Sequence, residues 1–251
     1  MKVSIITVVY NNECIGTAVE SVIRQDYPFI EYIVVDGGST DRTLDIISAY
    51  RNRIQKVVSE PDLGIYDAIN KGIKMATGDI VGLLHADDFL ADDQVISRIV
   101  RVFGEHPGLK AAYADVVFTH RDDLSKVTRY YSSRYFKPWM FKFGFQPAHP
   151  TFYAERKLFE QLGLYSTQYK IAGDFELLMR FLYIHKVNTL YVRDVWVKMR
   201  MGGVSTAGVK SLLKLNWEIL HACKSNEVYT NMLMVYSKYM VKWWGFCFRK
   251  T

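Results

Sequence analysis

Residues 3–9 read Val-Ser-Ile-Ile-Thr-Val-Val, an almost unbroken β-branched run at the very start of the sequence. A strand of that composition offers water no polar face, so it must be covered on both sides, as a central strand of a parallel sheet is. The period then changes. Ile15, Val19, Val22 and Ile23 recur at three- and four-residue steps and predict a helix over 16–25. Residues 31–35 (EYIVV) read as a second buried strand, stopped by Gly37 and Gly38, and a helix is expected over 41–51, capped by Ser39 or Asp41. A strand at 55–59, a helix over 65–76 and a strand at 79–84 repeat the alternation. Strands alternating with helices of about ten residues build right-handed βαβ units, so the expected class is α/β with a mostly parallel sheet flanked by helices.

Beyond residue 104 the alternation loosens. Strands are expected at 111–118 and 126–132, the second antiparallel, then helices at 155–162 and 173–185 and a strand at 189–199. Residues 133–150 are aromatic and proline-interrupted, and read as a loop lining a cleft. From 209 the tail is helical, with Met232, Val235, Tyr236, Tyr239, Met240 and Trp243 at helical spacing. The expected division is a domain over 1–205, with halves at about 1–104 and 105–205, and a helical extension over 206–251.

In an open parallel sheet, ligands bind where the strands end. Here the first strand ends at Tyr10-Asn11, the second at Asp36, the third at Glu60-Pro61-Asp62 and the fourth at Asp87-Asp88. Any one acid can be a helix cap or a turn former, and that is the reading for Asp41 and Asp93. Acids at three neighbouring strand ends repel one another unless a cation or hydrogen-bond donors offset them. A hard divalent ion, Mn²⁺ or Mg²⁺, held by one or two carboxylates and a ligand's phosphates, would do so.

The net charge of +6 suits a phosphate-bearing ligand or an anionic surface, and no nucleic-acid-binding signature accompanies it. No leader with a cleavage site opens the chain, and no uncharged run reaches the roughly 18–20 residues of a membrane span. Cys14, Cys223 and Cys247 lack metal-ligand or disulfide spacing and read as reduced thiols of a cytoplasmic protein.

VSIITVVYNNE, VVDGGSTDRT, SEPDLGIYDAINKGI, LHADDFL and AGDFELLMR, in this order and at these intervals, resemble the family 2 glycosyltransferases over about residues 1–205. The series is similar to that of bacterial enzymes building O-antigen, capsule or other exopolysaccharide units. The resemblance implies a Rossmann-like, glycosyltransferase A-type fold, and hexose or N-acetylhexosamine transfer with inversion from a nucleotide-diphosphate sugar to a saccharide acceptor, often lipid-linked.

It also implies roles. Thr7, Val9, Tyr10, Asp36, Asp62, Gly64, Asp67, Lys71, Ala86 and Asp87 would bind the nucleotide, Tyr10 and Asp36 at base and ribose, with Asn70 close behind. Asp87 would be the main ligand of Mn²⁺ or Mg²⁺. His85 replaces the first aspartate of the family's aspartate-x-aspartate signature; it either binds the metal, reaches a phosphate or ribose, or lines the pocket. Asp88 is either a second ligand or a structural acceptor. Asp174 would be the general base, with Glu176 as second candidate and a helix N-cap as the structural alternative for Asp174. Arg200 lies where the family often places a loop over the diphosphate, although Gly202 stands where many members have a histidine, and Arg180 is either a helix-surface cation or, at most, a residue supporting the site from behind. His149, Trp139 and Phe145 would face the acceptor, unless the loop packs its aromatics inward.

Two rivals are weaker. A sugar-nucleotide-making nucleotidyltransferase carries a glycine-rich basic loop after its first strand, where this chain has Tyr10-Asn11-Asn12-Glu13. A non-catalytic glycan-binding relative would be expected to lose Asp87 or Asp174. The terminal run YSKYMVKWWGFCFRKT combines Trp with Lys and Arg, suiting peripheral contact with the inner face of a membrane. The alternative is packing on the domain or on a second subunit of a homo-oligomer.

Overall fold

A computed structural model describes residues 1–202 and 208–248. Its first half follows the expected alternation: β1 (Val3–Val9), α1 (Ile15–Ile23), β2 (Ile30–Asp36), α2 (Thr43–Ala49), β3 (Lys56–Ser59), α3 (Ile65–Met75) and β4 (Ile80–Leu83). These strands pair in parallel in the order β3-β2-β1-β4. Every residue of β1 is buried. Ile6 and Val8 pack with Ile69 and Ile73 of α3 on one face, and Ile5 and Val9 pack with Ile15, Val19 and Val22 of α1 on the other. Alternating side chains thus meet two helical layers, and truncating a fully buried residue such as Ile6 to alanine would cost about 2–5 kcal/mol.

The sheet continues through β5 (Asp88–Leu90), β6 (Ala111–Thr119), β7 (Val127–Tyr131), β8 (Tyr153–Glu155) and β9 (Thr189–Arg200), giving the order β3-β2-β1-β4-β8-β6-β9-β5 with β7 on β6. β8 is antiparallel to both β4 and β6, so β1, β2, β3, β4, β6 and β9 run one way, and β5, β7 and β8 oppose them. Helix α4 (Val95–Glu105) covers one face with Ile96, Ile99 and Phe103, and α5 (Arg156–Leu162) adds Leu158 and Phe159 to the other.

Helix α6 (Gly173–Met179) widens at Arg180 into a π-helical turn over Arg180–Ile184, closed by the His185 N–H to the Arg180 carbonyl at 3.0 Å. The tail is two helices, α7 (Val209–Ser225) and α8 (Met232–Phe248). Ile219, Ala222 and Val235 enter the same core as Phe175 and Leu178 of α6. No described helix is long and apolar enough to cross a membrane.

Two expectations resolve between their alternatives, with Asp93 lying in the turn ahead of α4. Ser39 does not cap α2: its hydroxyl turns back to Asp36, while Asp41 accepts the Thr43 N–H at 3.0 Å. Ahead of α4, the carboxylate taking a backbone N–H, that of Gln94 at 2.8 Å, belongs to Asp92 and not Asp93. Residues 203–207, including Val204 and Ser205 of the loop after Arg200, lie outside the described residues, as do Arg249, Lys250 and the side chains of Lys242, Trp243, Trp244, Phe246 and Phe248.

Candidate active site

The ends of β1, β2 and β3 are tied together by Asp36. Its buried carboxylate accepts the Gly38 N–H (3.1 Å), the Ser39 N–H (3.0 Å), the Ser59 hydroxyl (2.7 Å) and the Ser39 hydroxyl. Asn11, at φ 45°, locks the same corner: its N–H donates to Ser39 Oγ and its side chain accepts the Thr40 N–H, both at 2.8 Å. A Cβ on Gly37 would collide with the Asp62 carboxylate and sit 3.5 Å from the Tyr10 ring. The bare backbone of Gly37 therefore lets Tyr10 and Asp62 approach each other over the strand ends.

Asp62 also accepts the Gly64 N–H at 2.8 Å, and Asp67 accepts the Leu63 N–H at 3.1 Å. Lys71 is held in the same turn by Glu60 (2.9 Å) and the Pro61 carbonyl (3.1 Å). Tyr10 is 62% exposed, and Asp62, Gly64, Asp67 and Lys71 all reach the surface. Thr7, Val9 and Ala86 are buried. The Thr7 hydroxyl accepts from Tyr32 at 3.0 Å, and the Val9 carbonyl takes the Gly37 N–H at 2.9 Å. Asn70 faces away from this rim. Both ends of its amide bond the backbone of Tyr165, at 2.8 and 3.0 Å, clamping α3 to the segment before α6.

Across the cleft, Asp174 lies inside the first turn of α6 and makes no capping bond, so the N-cap alternative is set aside. A Cβ on Gly173 would come within 2.5 Å of the Tyr66 ring, so glycine there lets Tyr66 lie directly under the turn. The Tyr66 hydroxyl donates to the Ile171 carbonyl at 2.8 Å. From α7, the buried Glu218 carboxylate accepts three successive N–H groups, of Lys170 (3.1 Å), Ile171 (2.8 Å) and Ala172 (2.9 Å). The backbone leading into Asp174 is thus fixed from two elements.

His149 Nε2 lies 3.7 Å from Asp174 Oδ2, and the His149 and His85 rings meet edge-on at 5.8 Å. Gln146 Nε2 is 3.4 Å from His149 Nδ1; with Gln146 donating there, the imidazole proton sits on Nε2, facing Asp174. Burial raises Asp174 to about 6, against the opposing influence of His85 and the Tyr66 hydroxyl. Burial pushes His149 down to about 4 and also lowers His85. The group is a carboxylate beside two neutral imidazoles, the state required of a proton acceptor near neutral pH.

Glu176 is engaged elsewhere. It pairs with Arg180 at 2.8 Å, and Arg180 in turn donates to the Gly163 and Leu164 carbonyls at 3.1 and 2.7 Å. Arg180 is therefore a part-buried brace across the π-helical turn, the supporting alternative and not a helix-surface cation. In the aromatic segment, Phe136 and Phe141 are core, with Phe141 against Phe175 at 5.4 Å, whereas Trp139 stands out from a short 3₁₀ helix (Pro138–Phe143) and is 55% exposed. Phe145 is half-buried.

Asp88, buried on β5, has one carboxylate oxygen, Oδ2, without a partner among the described residues, and Arg200 Nε is likewise buried and unpaired among them. Burial and the neighbouring Asp87 raise Asp88 well above the usual carboxylate range, against the Arg200 backbone and guanidinium. Among the described residues no three His, Cys, Asp or Glu side chains form a metal cage. Asp87, half-buried at the rim, and the Asp88 oxygen that has no partner among the described residues are the carboxylates available to a hard cation whose remaining ligands come from a bound diphosphate.

Tyr66, Glu218 and Gln146 escape a reading of the sequence. Tyr66 has the spacing of a core residue with Ile69 and Ile73. The one available signal is Glu218, an acid on the apolar stripe of Leu215, Ile219 and Ala222.

This arrangement, an acidic rim at the strand ends on one side and a part-buried carboxylate on the other, belongs to a known class. The fold matches S. aureus TarS 1-349 in complex with UDP-GlcNAc (TM-score 0.68, 19% identity, 88% of this chain and 66% of that one). It also matches the mannosyltransferase PcManGT from Pyrobaculum calidifontis in complex with GDP-Man and Mn²⁺ (TM-score 0.63, 20% identity, 88% and 64%). Against the longer TarS chain, the match spans 39% of its length. Residues 4–172 match the sequence profile of Glycosyl transferase family 2, and the chain belongs to that family. A PGL/p-HBAD biosynthesis glycosyltransferase of Mycobacterium bovis is 30% identical over 200 residues, 78% of this chain and 75% of the relative. The chain is a glycosyltransferase enzyme.

Proposed function

We propose that the enzyme transfers a hexose or N-acetylhexosamine, with inversion, from a nucleoside-diphosphate sugar to a glycan or lipid-linked saccharide in cell-surface polysaccharide synthesis. The observation that carries this reading is Asp174: a carboxylate held to about 6, on a fixed turn, opposite the nucleotide rim. In the reaction, an acceptor hydroxyl attacks the anomeric carbon from the face opposite the diphosphate. Its proton passes to Asp174 as the new C–O bond forms, and the bond to the diphosphate oxygen breaks. His149, neutral and beside Asp174, orients the acceptor hydroxyl, and Trp139 offers a ring for the acceptor sugar to stack on.

Tyr10 and Asp62 receive the base and ribose, with Asp36 fixing the corner they share. Arg200, whose Nε lacks a partner among the described residues, meets the diphosphate. Mn²⁺ or Mg²⁺ at Asp87, with Asp88 or His85 beside it, would supply positive charge where the leaving diphosphate becomes negative. PcManGT, solved with GDP-Man and Mn²⁺, and TarS, solved with UDP-GlcNAc, support this donor and ion class. The M. bovis relative, named for PGL/p-HBAD biosynthesis, supports a glycolipid-type acceptor.

A thermal-shift screen of nucleotide sugars with Mn²⁺ tests the reading. The preferred donor at 100 times its Kd should add about 2.7 kcal/mol of stability. A protein unmoved by every nucleoside-diphosphate sugar overturns it.

A further inference from the structure

The helices α7 and α8 carry a charge and an apolar surface that the transfer reaction does not use. Residues 208–251 contain seven Lys or Arg against two Asp or Glu, a net +5 of the chain's +6. One of the two acids, Glu218, is buried against the backbone ahead of Asp174 and gives nothing to the surface. Lys210, Lys214 and Lys224 are exposed on α7.

Apolar side chains share that exposure. On α7, Leu213 and Trp217 stand one turn apart, with Trp217 62% exposed. On α8, Leu233, Tyr236 and Met240 follow at steps of three and four, with Leu233 84% exposed. The two helices are joined through residues 226–231 and by the Tyr239 hydroxyl donating to Asn216 Oδ1 at 3.1 Å. Trp217 and Met240 are the next residues after that bonded pair, so both stripes reach solvent beside it. The inner faces of the helices are committed to the domain: Val235 approaches Gly144 behind the aromatic segment, and Glu218 holds the turn before Asp174.

We infer that this helical pair docks on an anionic lipid surface, lying along it and not crossing it. Trp, Tyr, Leu and Met interleaved with Lys, with almost no exposed acid, is complementary to an interface where rings sit at headgroup level and ammonium groups meet lipid phosphates. Lys238 is buried, so the described exposed charge of the pair is Lys210, Lys214 and Lys224 against Glu227, and a second protein surface would have to be acidic to match it. The inference goes beyond the transfer reading and does not depend on the identity of donor or acceptor. Because the same two helices brace the Asp174 turn and the aromatic segment, docking would hold the acceptor side of the cleft near the lipid headgroups.

Sedimentation of the full chain with phosphatidylglycerol vesicles, beside phosphatidylcholine vesicles, tests this. Binding is expected to the anionic vesicles only and to weaken as salt is raised from 0.1 to 0.5 M. The double variant Lys210→Glu, Lys214→Glu, at two exposed sites, should lower partitioning roughly tenfold or more. Trp217→Glu should lower it comparably, and both proteins should keep the wild-type circular dichroism and donor-induced thermal shift. Absence of binding to anionic vesicles overturns the inference, as does binding that both variants retain. It is equally overturned if the wild type forms a dimer in analytical ultracentrifugation that Trp217→Glu dissociates, without vesicle binding.

Discussion

His149 Nε2 and Asp174 Oδ2 stand 3.7 Å apart, one on a proline-flanked turn and the other on the first turn of α6. Burial drives their titrations towards each other's usual range, His149 to about 4 and Asp174 to about 6, so at neutral pH the pair is an anion beside an uncharged imidazole. A base must be ionised to work, so kcat/KM is expected to fall about tenfold per pH unit below about 6 and to be flat above it. The pH–rate profile of His149→Gln should keep that limb while its plateau drops. A limb that vanishes with the histidine would make the imidazole the group that titrates.

Asp174→Asn separates chemistry from stability. The folded-state value of about 6 exceeds the ordinary 3.8, so the folded protein holds this proton more tightly than the unfolded chain. The ionised carboxylate thus costs stability: nothing below about pH 4, progressively more between 4 and 6, and the full amount above 6. A shift of about two units corresponds to about 2–3 kcal/mol. Asparagine removes that cost, so Asp174→Asn should melt several degrees higher than wild type at pH 8 and equally at pH 4. Turnover should fall on the order of 10²–10⁴-fold. Equal melting at pH 8 would place the carboxylate in a better solvated setting than the structure gives it.

The donor half was legible because its signals are local. A run such as Val3–Val9, with helical spacing either side of Gly37-Gly38, specifies strand, helix and rim within a few residues, and β1 to β4 fall within a residue or two of expectation. What escaped depends on pairing between distant segments. β5 and β8 have three residues each, too short for any period, yet β8 is the strand that joins β4 to β6. The same reason hid the support of Asp174. Tyr66 lies 105 positions from the carbonyl it bonds, and Glu218 about 46 from the amides it holds, so neither residue's neighbours in sequence announce its task. Asp36 stands at a strand end as expected, and its four donors, from residues 38, 39 and 59, add a role as the corner's tie that its neighbours in sequence do not announce.

Tyr66 positions Asp174 through the backbone and lowers its proton affinity through its hydroxyl. Tyr66→Phe keeps the ring under Gly173 and removes only the hydroxyl. The acid limb of the pH–rate profile should therefore move upward by a fraction of a unit, with about 1 kcal/mol of stability lost. The Kd for the nucleoside diphosphate should not change, since the hydroxyl is committed to the Ile171 carbonyl. A shift in nucleotide affinity with an unmoved limb would assign Tyr66 to the donor site.

Asp87 and Asp88 are adjacent in sequence and unequal in surroundings. Asp88 is buried and held well above the usual carboxylate range by that burial and by Asp87, with Oδ2 unpartnered among the described residues. A carboxyl that resists ionisation is a poor ligand for a hard cation unless the ion itself displaces the proton. Asp88→Asn preserves shape and hydrogen-bonding capacity and removes the cost of a buried charge. It should leave Mn²⁺-dependent binding of a nucleoside diphosphate within about threefold of wild type, whereas Asp87→Asn should weaken it at least tenfold, each tenfold being about 1.4 kcal/mol. Titration calorimetry of the diphosphate with Mn²⁺, and again with the ion chelated, distinguishes the two. If both variants lose the metal-dependent part alike, the two carboxylates hold the ion together, and the free oxygen of Asp88 is its second ligand.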